Sequence, residues 1–115
     1  MPATWISLRS LREAAAFLLV GLALLPGPAR AIDAKRQAEL ADLVRQDCGS
    51  CHGMTLKGGL GRPLVPERIA EVDAESLAAI ILGGVPGTPM PPWRGLITDA
   101  EARWIADRLK EGFPQ

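Results

Sequence analysis

Cys48-Gly49-Ser50-Cys51-His52 constrains the fold of this chain more than any other stretch. Two cysteines three positions apart, with a histidine directly after the second, have the spacing by which a c-type haem is attached. The two thiols can form thioethers with the two vinyl groups of one porphyrin. The next side chain then lands under the ring, where an imidazole nitrogen can ligate the iron. Attachment and proximal ligand are one local unit.

Other chemistries use parts of the same motif. A thioredoxin-like redox pair would use Cys48 and Cys51, but that motif opens a helix in a βαβ pattern, and no strand precedes it here. A zinc site wants four ligands, and the whole chain offers two cysteines and one histidine. So short a motif can also match by accident, so the remaining sequence must supply a haem protein's other parts.

The first part of the 115 residues does not read as folded protein. Arg9 and Arg12 precede an apolar run over 14–25, Pro26-Gly27-Pro28 breaks it, and Ala29-Arg30-Ala31 has small residues at the two positions a signal peptidase reads. The run is short against the roughly 20 residues that span a bilayer. The reading is a secretory signal peptide over 1–31, cleaved after Ala31, and an exported domain over 32–115 that does not span the membrane.

Removing Arg9, Arg12, Arg30 and Glu13 leaves 10 basic and 12 acidic residues, a net charge of about −2, which offers no basic field for nucleic acid. The exported part keeps only Trp93, Trp104 and Phe113 as aromatics. A domain this small and this poor in aromatic residues needs a staple. A haem would replace the missing core, whereas a Cys48–Cys51 disulfide closes too short a loop to contribute much.

Along the exported chain, Leu40, Leu43 and Val44, helped by Ala38 and Ala41, fall at helical spacing over 34–47, with Asp33 as N-cap. Residues 53–66, with Gly58-Gly59-Leu60-Gly61-Arg62-Pro63-Leu64, predict a loop. Leu60, Leu64 and Val65 give that loop something to bury, so it should wrap one edge of the cofactor. Residues 66–71 suit a helical turn. Asp73 or Ser76 caps a second helix with the stripe Leu77, Ile80 and Ile81, ended by Gly83-Gly84.

Val85-Pro86-Gly87-Thr88-Pro89-Met90-Pro91-Pro92-Trp93 is an extended loop that can be neither helix nor central strand. An isolated methionine is usually gap-filling core. Here the backbone on both sides of Met90 is stiffened, which suits a thioether held at a metal. Met54 lies two residues past His52 and cannot easily reach the opposite face of a ring. Thr98-Asp99-Ala100-Glu101 is a capping box opening a third helix, with Ala102, Ile105, Ala106 and Leu109 inward and Trp104 flanking. The first and last helices, each with one apolar stripe, should pack on each other.

With the Cys48–His52 motif followed by Met90 in a Gly/Pro loop between two helices, the exported chain resembles a bacterial class I cytochrome c over nearly its whole length. The resemblance implies an all-α fold of three main helices and Gly/Pro-rich loops around one covalently bound haem, with the terminal helices crossed. It assigns Cys48 and Cys51 to the thioethers, His52 to the proximal ligand and Met90 to the distal ligand. In detail, residues 48–60 and 86–93 are similar to the small periplasmic cytochrome c that accompanies the dissimilatory nitrite reductase of denitrifying bacteria. One departure stands out. That family reads Gly-Pro-x-Leu after the haem motif, its proline carbonyl accepting the histidine's second proton, whereas Gly61-Arg62-Pro63-Leu64 puts Pro63 one place late. If Leu64 keeps its slot, Arg62 supplies the carbonyl.

What this implies is a periplasmic one-electron carrier and not an enzyme, since an iron with both axial positions filled has no open site for substrate. Its partners would be redox proteins, among them nitrite reductase or the proteins that mature its haem. Rim candidates for docking are Lys57, Arg62 and Arg94, each equally readable as solvated charge, and Trp93 either bonds a haem propionate or packs. The rival is a gas- or peroxide-reactive haem protein whose Met90 bond breaks. The chain offers no distal histidine or arginine for that chemistry, His52 being its sole histidine.

Overall fold

The structure is a computed structural model that describes residues 30–113, so the expected leader over 1–31 lies, but for Arg30 and Ala31, outside the described residues. Residues Ile32–Gln115 form one compact unit. Its order is helix α1 (Ala34–Leu43), a π-helical turn (Val44–Cys48), α2 (Gly49–His52), a loop, α3 (Pro66–Ile69), α4 (Ala74–Gly83), a second loop and α5 (Asp99–Glu111). Among the described residues there is no strand, only one isolated bridge between Arg94 and Ile97. The expected all-α architecture is what the chain adopts.

Side-chain caps decide where the three long helices begin. Asp33 accepts a hydrogen bond from the Arg36 N–H at 2.9 Å, and Asp73, rather than Ser76, accepts from the Ser76 N–H at 2.8 Å. Thr98 and Glu101 exchange both bonds of a capping box. Such caps satisfy amide groups that have no partner inside the helix, each contributing about 1 kcal/mol.

The first helix does not stop before the cysteines. Helical backbone runs unbroken from Ala34 through His52, because nothing in Cys48-Gly49-Ser50-Cys51-His52 breaks it: Gly49 sits at φ −59°. The Gly49 N–H reaches back to the Val44 carbonyl, five residues away, which defines the π turn.

Leu40 and Val44 are fully buried and share one core with Leu77, Ala78, Ile81 and Leu82 of α4 and Ala102, Ile105, Ala106 and Leu109 of α5. Burying a leucine or isoleucine is worth roughly 1.5–3 kcal/mol, so this seam carries the fold. Two expectations are corrected here. Ile80 is 39% exposed, and Ala78 and Leu82 take its place, because α4 is apolar nearly all round and its pattern does not single out a stripe. The terminal helices do meet, through this core and an Arg36–Glu101 pair at 2.6 Å, but α5 packs most extensively along α4, which is as long as α1. Behind them the Lys110 ammonium donates to the carbonyls of Ile69, Ala70 and Val72, pinning the end of α3 to α5.

Candidate haem site

A cleft of about 380 Å³ opens between the end of the first helical run and the two loops. Its lining falls into three pieces: Asp47, Cys48, Cys51 and His52 from the helix, Leu60, Gly61 and Arg62 from the first loop, and Val85, Thr88, Pro89, Met90, Pro91 and Trp93 from the second. Helical geometry explains the first piece, since residues three and four apart share a face, which puts Cys48, Cys51 and His52 side by side. A volume of this size with mostly apolar walls suits a flat organic cofactor.

Both cysteines are free thiols and both are half-buried. Burial, and after it the Asp47 carboxylate, pushes the Cys48 thiol up to about 11. Exchange-active cysteines are held low by positive surroundings, so this environment does not suit a redox pair.

The orientation of His52 follows from the loop behind it. The carbonyls of Cys51 and His52, left without helical partners, accept from Gly61 N–H at 2.7 Å and Gly58 N–H at 2.8 Å. Leu64 N–H closes the loop on the Leu56 carbonyl at 2.8 Å. Within this frame His52 Nδ1 lies 2.7 Å from the Arg62 carbonyl oxygen. A carbonyl only accepts, so Nδ1 carries the proton and Nε2 keeps its lone pair for a metal. Arg62, then, supplies the carbonyl that the sequence pattern left conditional. The ring is also held sterically, because a Cβ on Gly61 would lie 2.7 Å from Cε1 and Nδ1 of His52.

Met90 lines the cleft, and Met54 does not: it is 61% exposed, and its sulfur lies against Gly49. Arg62 and Trp93 line the cleft. Lys57 is exposed outside it, and Arg94 is exposed and paired with Asp99 at 3.1 Å. Leu60 forms part of the wall while 95% exposed, so the loop buries Leu56 instead. Leu56 takes a left-handed φ of 59° to do so, a conformation that leucine gives no sequence signal for.

Residues 35–107 match the family described as cytochrome c oxidase, cbb3-type, subunit III. A cytochrome c55X of Paracoccus denitrificans (strain Pd 1222) is 56% identical over 92 residues, which cover 80% of this chain and 85% of its own. The chain belongs to the cytochrome c55X family. A second cytochrome c55X, from Pseudomonas aeruginosa, is 56% identical over 80 residues, covering 70% of this chain and 67% of its own. The solved structure of the c-type cytochrome NirC superposes with a TM-score of 0.68 at 55% identity, covering 70% of this chain and 94% of that one. These relatives are the small cytochrome group that the cysteine motif and methionine loop resemble. Membership brings a covalently bound c-type haem with its iron, and the residues around the cleft fit that group: two thiols on one helical face, a fixed imidazole and apolar walls.

Proposed function

We propose that this cytochrome is a periplasmic one-electron carrier of denitrification, with haem attached through Cys48 and Cys51 and held axially by His52 and Met90. The observation that carries this reading is His52 in its cleft: the bond from Nδ1 to Arg62 leaves Nε2 available for iron. The haem supplies an Fe(III)/Fe(II) couple, and a thioether ligand favours the reduced, less charged iron. The chain's own work is to hold the imidazole in one tautomer, to keep the methionine opposite, and to exclude water with Val85, Pro89 and Trp93. On the Met90 side the polar side-chain groups of the wall are the Thr88 hydroxyl and the Trp93 indole, neither of them an acid–base group that could activate a bound small molecule. That favours carriage over the gas- or peroxide-reactive alternative.

Export rests on the leader pattern over 1–31, and we place cleavage after Ala31. Among the described residues no helix is long and apolar enough to cross a membrane. Redox partners in nitrite reduction, either nitrite reductase or the proteins that mature its haem, are the reading that the c55X and NirC relatives support. Two experiments test the proposal. Reduced holoprotein mixed with purified dissimilatory nitrite reductase and nitrite should be reoxidised only when both are present. Reduced holoprotein exposed to carbon monoxide at neutral pH should keep its spectrum, whereas ready binding would mean an open iron site and favour the reactive alternative.

A further inference from the structure

The loop that carries Met90 is a small closed ring, and its only internal strut made by a side chain is Thr88. Val85-Pro86-Gly87-Thr88 has the form of a type II turn: proline at the second position, Gly87 at φ 76° at the third, and the Thr88 N–H on the Val85 carbonyl at 3.1 Å. The Val85 N–H then bonds the Met90 carbonyl at 3.2 Å, closing the ring. Inside it the Thr88 hydroxyl uses both its capacities, donating to the Val85 carbonyl at 2.7 Å and accepting from the Met90 N–H at 3.3 Å.

The prolines make that second bond unusually consequential. Pro89, Pro91 and Pro92 have no N–H, so Met90 owns the only main-chain donor between Thr88 and Trp93. That donor goes to the Thr88 oxygen. The prolines fix φ along the segment but cannot tie it to anything, and the next anchors lie beyond it, at Trp93 N–H on the Ile81 carbonyl and Arg94 N–H on the Leu82 carbonyl.

We propose that the Thr88 hydroxyl is the positioning group for the Met90 thioether, setting how firmly the distal ligand is held at the iron. This rests on Met90 being that ligand. Thr88→Val keeps the shape and removes both bonds, leaving the Met90 N–H without its acceptor, while Thr88→Ser keeps the hydroxyl. A looser Met90 spends more time off the iron, so an added ligand meets a larger competent fraction. Losing the strut should therefore tighten ferric imidazole binding about tenfold, the size of one modest hydrogen bond.

The test is an imidazole titration of ferric holoprotein, wild type against Thr88→Val, Thr88→Ala and Thr88→Ser, with the weak near-infrared sulfur-to-iron band recorded alongside and far-ultraviolet circular dichroism confirming unchanged helix. Tighter binding in the valine and alanine variants, with serine at the wild-type level, is the expected result. Valine matching wild type overturns the proposal, and so does serine matching valine, which would assign the effect to shape. If wild type lacks the band and Met90→Ala matches it, the ligand reading itself has failed. A wild-type band with an unresponsive valine variant overturns the Thr88 role alone.

Discussion

On the His52 side of the cleft, the main-chain bonds that fold the loop are 2.7 to 3.0 Å long, and two of them run directly to the carbonyls of Cys51 and His52 themselves. On the Met90 side the corresponding bonds are 3.1 to 3.2 Å, and they meet Met90 once, at its carbonyl. The first loop is held by hydrogen bonds, the second by prolines at 86, 89, 91 and 92 that limit where it can go. Restricting the unfolded chain stabilises a conformation without gripping it. His52 is therefore over-determined, and Met90 is held near its position by a frame that can yield.

The largest effect should come from removing the attachment on which both sides depend. Cys48→Ala with Cys51→Ala should abolish covalent holoprotein, read as haem that extracts into acidified ketone from the denatured chain. The core seam is short of aromatic residues, so the apo chain should be largely unfolded. Far-ultraviolet circular dichroism of apoprotein with native helix content and a cooperative melt would contradict this and make the haem an addition to a finished fold.

Next in size is a test of the over-determined side. Gly61→Ala forces a methyl group to within 2.7 Å of the His52 ring, and the backbone behind it is tied to Cys51, so neither side can give easily. Overpacking of this kind costs about 1–3 kcal/mol. Holoprotein should fall in thermal stability and yield. A variant that matures and melts like wild type would show that the proximal loop is softer than its bond lengths indicate.

On the distal side, Met90→Ala should remove the near-infrared band, lower the reduction potential and admit carbon monoxide to the ferrous protein, while helix content stays unchanged. Met54→Ala should do none of these. The comparison predicts a functional loss without a structural one at Met90, and both together at Gly61. If Met90→Ala unfolds the chain as Gly61→Ala does, the two sides are held alike.

The same contrast explains how much the sequence disclosed. Helices with caps and a clear stripe were legible: Asp33, Thr98 and Glu101 cap where the pattern predicts, and Ala102, Ile105, Ala106 and Leu109 are buried. So were Cys48, Cys51, His52 and Met90 as neighbours of one site, since a motif and a proline frame fix them locally. What the pattern missed depends on long-range folding of glycine-rich backbone. Leu56 is buried and Leu60 exposed because the Gly58 and Gly61 amides fold the loop onto the helix end, which no periodicity records. The π turn and the choice of stripe on α4 were likewise set by packing.

The smallest effect concerns the seam joining the two sides. Glu101 bonds Arg36 on the helix leading to His52 with one oxygen, and with the other it accepts the Thr98 N–H at the end of the segment leaving Met90. The Arg36 guanidinium first, and the Thr98 amide second, hold its carboxyl below the ordinary value of 4.5. The folded chain therefore gives up this proton more readily than the unfolded one. Its stabilisation is complete above about pH 4.5 and declines as acid carries the pH down through the lower folded value. Asp73, held low by the Ser76 amide, adds to the same limb. Glu101→Gln keeps an acceptor for Thr98 but loses the charge that pairs with Arg36, so its melting temperature should lie slightly below wild type at pH 7, and the gap should close as the pH falls below 4.5. An acid limb as steep as wild type would assign the loss to other carboxylates. Recorded through the same titration, the near-infrared band should fade before the helix signal, because the distal frame yields first as the seam loosens. Helix loss that precedes or coincides with the band would reverse the ranking of the two sides.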